Sequence, residues 1–370
     1  MKYKVEIMSP SFCGDELKYL ENAFWTNEIS TKGENINRMS KMLVEYTGRK
    51  YCTLLSNGTA GLHLALKALD VSDNDIVFCP TLTYCGTVYP IIYERAVPVF
   101  IDCKKDGTMD EECLKIALSK YKDNLPKAVM AVDTYGSSAD YSKILSVLKD
   151  YNIPLISDSA ESLGGEYEGK KSGSFGDISV ISFSYSKIVT TSMGGAVLSD
   201  NKEYMDKMAY LANQSKASSK CYIHKEVGYN YLMSNLLAGI GISQMERIDQ
   251  FLEKKRAIFN TYKKAFKNIE GISFISDKEG SNHWQCGVIL NNDNAHEIVD
   301  KLISNGIETR CGFNPMHRQE AFSGFDYITK DDISTDLFYK TILLPSGTGM
   351  TIEQQEYVIN VFNDIIKGRV

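Results

Sequence analysis

The chain has 370 residues, 43% of them hydrophobic, and a formal net charge of −6. That length accommodates a large domain with a smaller one beside it, and the composition is ordinary for a globular protein. The acidic balance and the lack of a dense Lys/Arg block exclude a general nucleic-acid binder, whose affinity rests on neutralising many phosphates together.

Nine cysteines without a CxxC pair predict reduced thiols rather than a disulfide framework. The first residues, Met1 to Glu6, lack the apolar stretch of a signal peptide, and there is no run of about eighteen apolar residues. These features predict a cytoplasmic protein that meets no membrane. The five histidines, at 63, 224, 283, 296 and 317, have neither HxxxH nor HExxH spacing, so no metal site is expected.

In chain order, short apolar runs alternate with longer periodic segments between about Tyr51 and Asp200. The runs are Ile76–Cys79, Val97–Asp102, Ala128–Asp133 and Pro154–Asp158. Such a pattern predicts buried strands joined by crossover helices, hence an α/β layered domain. Runs that end in Asp place carboxylates where ligands gather in open α/β sheets, although each such Asp can equally cap the following helix. From Ile248 through Ile258, Tyr262 and Phe266 the spacing predicts a long amphipathic helix leaving the main domain. The division therefore falls at residues 1–250 and 251–370. The second part, with an apolar run at Cys286–Leu290 and a helix over Ile298–Ser304, reads as a small α+β domain.

Two segments carry chemistry. In Leu54–Leu66 an apolar run meets Ser56, Asn57, Gly58, Thr59 and Ala60 and then opens a helix. Small residues at a helix N-terminus suit a phosphate, and the same residues also make an ordinary helix cap. His63, between Leu62 and Leu64, reads as a structural helix residue. In Ile178–Leu198 one lysine, Lys187, stands between two strand-like runs. Desolvation there favours a neutral, nucleophilic amine suited to Schiff-base chemistry, whereas a lysine in an open loop is simply solvated.

Six segments in order, SNGTAGLHLAL at Ser56–Leu66, PTLTYCGT at Pro80–Thr87, DTYGSSADYSKI at Asp133–Ile144, DSAESLGGEYEGKKSGSFGD at Asp158–Asp177, SFSYSKIVTTSMGG at Ser182–Gly195 and GYNYLMSNLLAGIGISQ at Gly228–Gln244, resemble the DegT/DnrJ/EryC1/StrS sugar aminotransferases. The stretches Ile307–Phe322 and Leu344–Met350 extend the resemblance into the small domain, closest to the branch that aminates C4 of UDP-linked 4-keto-6-deoxy-N-acetylglucosamine.

The resemblance implies the fold type I architecture of pyridoxal-phosphate enzymes: a large domain with a mostly parallel seven-stranded sheet, a small α+β domain, and a homodimer with shared active sites. It implies that Lys187 forms the Schiff base to pyridoxal 5′-phosphate and moves the proton, and that Asp158 pairs with the pyridinium nitrogen. Gly58, Thr59 and Ala60 through their amides, with the Ser182 hydroxyl, would hold the phosphate. Tyr84 would stack on the ring, and Asn230 would reach the phosphate of the neighbouring subunit.

Glu161 stands where many relatives have glutamine near the phenolic oxygen, and a carboxylate there repels an ionised phenolate unless one of them is protonated. Leu232 replaces a common arginine, and Ser186 an asparagine. Arg310, His317 and Arg318 are expected to face the nucleotide sugar, since a diphosphate needs fixed donors. His317 can instead be a structural histidine, and Trp284 is expected to pack in the small domain. The expected reaction takes an amino group from L-glutamate to UDP-4-keto-6-deoxy-N-acetylglucosamine. A GDP-perosamine-type or 3-keto-sugar acceptor stays open, as does a non-catalytic regulatory protein on the same fold. A sugar dehydratase would carry histidine in place of Lys187.

Overall fold

The architecture follows from a computed structural model describing residues 3–12, 14–218, 220–291 and 294–368. Strands β1 Tyr51–Leu55, β2 Ile76–Pro80, β3 Val97–Ile101, β4 Ala128–Val132 and β5 Leu155–Asp158 come first. A hairpin of β6 Glu166–Tyr167 and β7 Lys170–Lys171 precedes β8 Ile178–Ser182 and β9 Gly195–Ser199. A second hairpin joins β10 Lys216–Ser218 and β11 Ile223–His224. The C-terminal part adds β12 Ile272–Phe274, β13 Cys286–Leu290, β14 Arg310–Cys311, β15 Tyr327–Ile328 and β16 Thr341–Leu344.

The helices are α1 Asp15–Trp25, α2 Glu34–Thr47, α3 Gly58–Ala68, α4 Tyr89–Tyr93, α5 Glu111–Lys120, α6 Tyr141–Leu148, α7 Lys202–Ala212 and α8 Asn235–Met245. They are followed by α9 Ile248–Phe266, α10 Ala295–Ser304, α11 Ile333–Lys340 and α12 Ile352–Ile366.

The main sheet runs β1-β9-β8-β5-β4-β2-β3-β15. Neighbours from β8 to β15 are parallel, while β9 is antiparallel to both β1 and β8. Alternation along each strand divides the side chains between two helical layers. On β2, Val77 and Cys79 join the apolar cluster of α3 and α7, whereas Phe78 joins that of α5 and α6. Each fully buried side chain of this size contributes about 1.5–3 kcal/mol through its removal from water. Both faces of the sheet are therefore covered, as the unbroken apolar runs require.

The resemblance predicts seven strands, and the structure has eight. The extra strand, β15, is two residues long and pairs in parallel with β3 through Tyr327 and Ile328. It is held there by Asp102 at the end of β3, which accepts hydrogen bonds from Thr329 Oγ1 at 2.7 Å and from the amides of Ile333 and Ser334 at 3.0 Å.

We propose a division into domains near residue 250, crossed twice by the chain. The N-terminal segment lies on the small domain, where Val5 bridges Ile307 and the Ile7 amide donates to Glu308. In the other direction the segment from Phe313 to Ile328 returns to the large sheet. The small domain is a four-stranded antiparallel sheet, β12-β13-β16-β14, whose cluster with α9, α10 and α12 contains Phe259, Tyr262, Val288, Leu302 and Phe362.

One edge of the main sheet collects the C-terminal ends of β2, β4, β5 and β8. Because β9 is antiparallel, Gly195 at its start lies opposite Ser182 and Leu55, so β1 ends at the same edge. Ligands bind at this edge in open α/β sheets.

Candidate active site

Lys187 is carried by the loop between β8 and β9. That loop is closed by the Phe183 amide donating to Gly194 O at 2.8 Å and fixed inside by the Lys187 amide donating to Ser184 O at 3.0 Å. The Lys187 side chain is 13% exposed, its Nζ lies 3.7 Å from Glu161 Oε1, and it sits 3.9 Å from the centre of the Trp284 ring. Burial lowers its pKa, while the carboxylates of Glu161 and Asp158 oppose the fall. A lysine so placed gives up its proton more readily than one in water, which Schiff-base chemistry requires.

Asp158 ends β5 and is buried. Its Oδ2 accepts from Thr87 Oγ1 at 2.8 Å and its Oδ1 from the Ala160 amide at 3.1 Å. Burial raises its pKa, opposed by the Thr87 hydroxyl, the Ala160 amide and Lys187. Glu161, one turn on, is also buried, and its Oε2 accepts from the Tyr135 amide at 2.8 Å. Burial pushes its carboxyl up to about 7 despite the nearby Lys187 charge. One Glu161 oxygen is thus tied to a fixed donor while the other faces Lys187.

The backbone that supplies this donor is strained. Tyr135 has φ 55°, a left-handed conformation costly for a side chain of its size. It is held by stacking on Phe313, with ring centroids 4.7 Å apart, and by the Phe313 amide donating to its hydroxyl at 2.6 Å. Asp133, which ends the run of β4 as Asp158 ends that of β5, has a different fate. Its carboxylate accepts from the Ala139 amide and from the Tyr141, Ser159 and Ser162 hydroxyls, stitching together the two loops that bear Tyr135 and Glu161.

Across the edge, α3 begins beside Ser182. Asn57 caps it by accepting from the Ala60 amide at 2.7 Å. That bond engages the Ala60 amide expected at the phosphate, leaving those of Gly58 and Thr59 for an anion. A Cβ on Gly58 would stand 3.2 Å from Ser182 Cβ, tighter than an ordinary contact, so glycine lets the two elements approach. Asn57, Thr59, Ala60, Tyr84, Gly86 and Tyr231 line a cleft of about 300 Å³, with Tyr84 63% exposed on its lip. A helix N-terminus, a serine hydroxyl, an exposed aromatic ring, a buried carboxylate and a desolvated lysine, gathered at one sheet edge, fit pyridoxal phosphate.

The remaining candidates are more spread out. Asn230 is exposed, on a segment running beside the end of β1, where the Ser56 amide donates to Tyr231 O at 2.7 Å. Arg310 is exposed, lies 3.3 Å from Glu308 Oε1, and its charge reaches the Tyr84 phenol. His317 is brought to the end of β2, with Nδ1 2.7 Å from Thr81 Oγ1 and its ring stacked on Tyr327 at 3.7 Å. Burial lowers its pKa. Arg318 donates to the Tyr339 hydroxyl at 2.7 Å and lies over the Tyr339 ring, within the small domain.

Trp284 departs from its expected role. It does belong to the small-domain chain, but its ring covers Lys187 and its Nε1 donates to Ser186 O at 2.8 Å. Thr87 joins the site through its bond to Asp158, and its signal in the sequence is its place at the end of the PTLTYCGT segment. Among the described residues no group of three or more His, Cys, Asp or Glu side chains could hold a metal ion, and no helix is long and apolar enough to cross a membrane.

Residues 11–363 match the DegT/DnrJ/EryC1/StrS aminotransferase family. The chain is 40% identical over 370 residues to the putative pyridoxal phosphate-dependent aminotransferase EpsN of Bacillus subtilis, covering 98% of this chain and 95% of that protein. It is 34% identical, across the full length of both, to the GDP-perosamine synthase of Escherichia coli O157:H7. Its fold matches the pyridoxal-phosphate form of the putative sugar aminotransferase Spr1654 of Streptococcus pneumoniae with a TM-score of 0.90, at 23% identity and over all of both chains.

Proposed function

Since the chain belongs to the DegT/DnrJ/EryC1/StrS aminotransferase family and is a pyridoxal-phosphate-dependent nucleotide-sugar aminotransferase, we propose that it aminates C4 of UDP-4-keto-6-deoxy-N-acetylglucosamine with L-glutamate as donor. The observation that carries the chemistry is Lys187, desolvated beneath Trp284 and facing Glu161 and Asp158 at the carboxyl edge of the sheet.

When bound, pyridoxal phosphate supplies a carrier for the amino group and an electron sink for the carbon that loses a proton. The chain's own residues do the rest. The amides of Gly58 and Thr59 and the Ser182 hydroxyl would hold the phosphate at the N-terminus of α3, where the helix dipole favours negative charge. Asp158, oriented by Thr87 and the Ala160 amide, which together with Lys187 oppose the upward push of burial on its pKa, would face the ring nitrogen. Tyr84, exposed at the lip of the cleft, would cover the ring. Lys187 Nζ would take and return the proton, with Glu161 Oε1 3.7 Å away. A neutral Glu161 carboxyl also accommodates an ionised phenolic oxygen without repulsion, which answers the conflict a glutamate raises at this position.

Asn230, exposed on its segment, would reach the phosphate of a second copy of the chain, and the site would then be completed in a homodimer. Arg310 from the small-domain sheet and His317, which the returning segment carries to the end of β2 in the large domain, would face the sugar nucleotide from two sides. The UDP sugar is supported by the NPMHRQEAF stretch at 314–322 and the KIVTTS stretch at 187–192. A second reading, a GDP-linked 4-keto-6-deoxymannose acceptor, is favoured by the full-length likeness to GDP-perosamine synthase. Steady-state assays with glutamate and each sugar decide between them. Turnover of the UDP sugar with a kcat/KM at least tenfold above the GDP sugar supports the first reading, and the reverse order overturns it.

A further inference from the structure

We propose that Lys255 is a positioning residue for Lys187, acting through the indole of Trp284. The inference rests on the reading of Lys187 as the reacting amine. Lys255 lies on α9 and is only 1% exposed. Its Nζ donates to the main-chain carbonyls of Trp284 at 2.7 Å and Ser346 at 2.5 Å, with Met8 Sδ at 3.9 Å. No carboxylate is among these partners. The other groups with which it interacts electrostatically are the Cys286 thiol and the His283 ring.

A buried ammonium held only by carbonyls is costly, and burial brings the Lys255 pKa down to about 7. An apolar side chain of the same length would avoid that cost, so the retained amine has a task to perform. The geometry supplies one. Lys255 ties the N-terminal segment, the turn before β13 and the loop after β16 to one point, and the turn before β13 carries Trp284.

Two further bonds fix Trp284. Its amide donates to Asn282 Oδ1 at 2.8 Å, and its Nε1 donates to Ser186 O, next to the lysine itself. With its carbonyl held by Lys255, the residue is tethered at its amide, its carbonyl and its ring, and the indole cannot pivot away from Lys187. A ring face 3.9 Å from an ammonium favours the protonated lysine through the cation–π attraction, adding to Glu161 and Asp158, which face Lys187 from the β5 side. The line Lys255–Trp284–Lys187 thereby sets how readily the reacting amine keeps its proton.

The test uses the full chain loaded with pyridoxamine phosphate, in which Lys187 is a free amine. Acetylation of Lys187 by acetic anhydride is followed against pH by peptide mass spectrometry. Trp284→Leu keeps an apolar side chain over Lys187 but removes the ring face, and so lowers the midpoint by about half to one and a half pH units, the range expected for a cation–π contact. Lys255→Met lowers it by a part of that shift, and the double variant moves no further than Trp284→Leu alone. If Lys255→Met does not fold, Lys255→Gln, which keeps an amide donor, carries the same comparison. The proposal is overturned if Trp284→Leu leaves the midpoint in place, or if the Lys255 substitution shifts it equally with and without Trp284. Failure of pyridoxamine phosphate to bind, seen by absorbance before labelling, counts against the proposed function instead, and the comparison is then decided on the cofactor-free chain.

Discussion

Replacing Glu161 by glutamine keeps the shape of the side chain and removes its titration. In the folded protein burial holds the carboxyl at about 7, against an ordinary value of 4.5. A folded pKa above the unfolded one means that the native state keeps a proton the unfolded chain releases. The stabilisation is therefore fully present below pH 4.5 and lost as pH rises through about 7. The interval between the two values, at about 1.4 kcal/mol per pH unit, amounts to about 3.5 kcal/mol. Glu161→Gln lacks this loss, so relative to the parent it gains about 2–3 kcal/mol between pH 5 and pH 8. Its removal also lowers the Lys187 pKa further, which acts in the same direction at high pH. Urea midpoints of the two proteins at both pH values measure the change. A stability difference that is the same at pH 5 and pH 8 would refute a titrating, buried Glu161.

Gly58→Ala places a methyl group against Ser182 while improving helix propensity by up to about 1 kcal/mol; pyridoxal phosphate titrations should show at least tenfold weaker binding with the melting temperature of the cofactor-free chain unchanged or higher. Arg310→Ala should raise KM for the nucleotide sugar about tenfold, and Arg318→Ala by less than twofold, since Arg318 is engaged with Tyr339. Tyr135→Phe leaves the Phe313 amide without its acceptor and should cost about 1–3 kcal/mol in urea denaturation, together with a shift in the pH profile through Glu161.

The layered fold was legible because buried parallel strands must be apolar on both faces, and β2 to β5 fall within a residue of the runs read at 76–79, 97–102, 128–133 and 154–158. Strand β15 was not legible. Tyr327 and Ile328 are too few for any periodicity, and they join the sheet because Asp102, distant in sequence, captures the turn that follows them. The three strand-end aspartates mark the same limit. Asp102, Asp133 and Asp158 carry one sequence signal, yet Asp102 fastens β15 and α11, Asp133 is consumed by hydroxyls within the loops, and Asp158 alone interacts with Lys187.

Two other outcomes turned on long-range contacts. His63 is structural, as its place between Leu62 and Leu64 predicts, and is buried between Glu94 at 2.7 Å and the Tyr231 hydroxyl at 3.1 Å. The pattern around Trp284 indicates packing, and nothing in it reports the contacts with Lys255 and Ser186, distant in sequence, that turn its ring toward the large domain. Local pattern identifies which residues are buried, whereas the tertiary fold decides what a buried group faces.

The central claim is that Lys187 is the amine that binds pyridoxal phosphate and exchanges its proton. The direct test is the absorbance spectrum of the purified chain beside Lys187→Ala, followed by borohydride reduction and peptide mapping. A visible band that borohydride traps at Lys187, that is absent from the variant, and that gives way to the pyridoxamine spectrum on addition of L-glutamate is the predicted result. A band trapped at another lysine, or no band after incubation with pyridoxal phosphate, would contradict it.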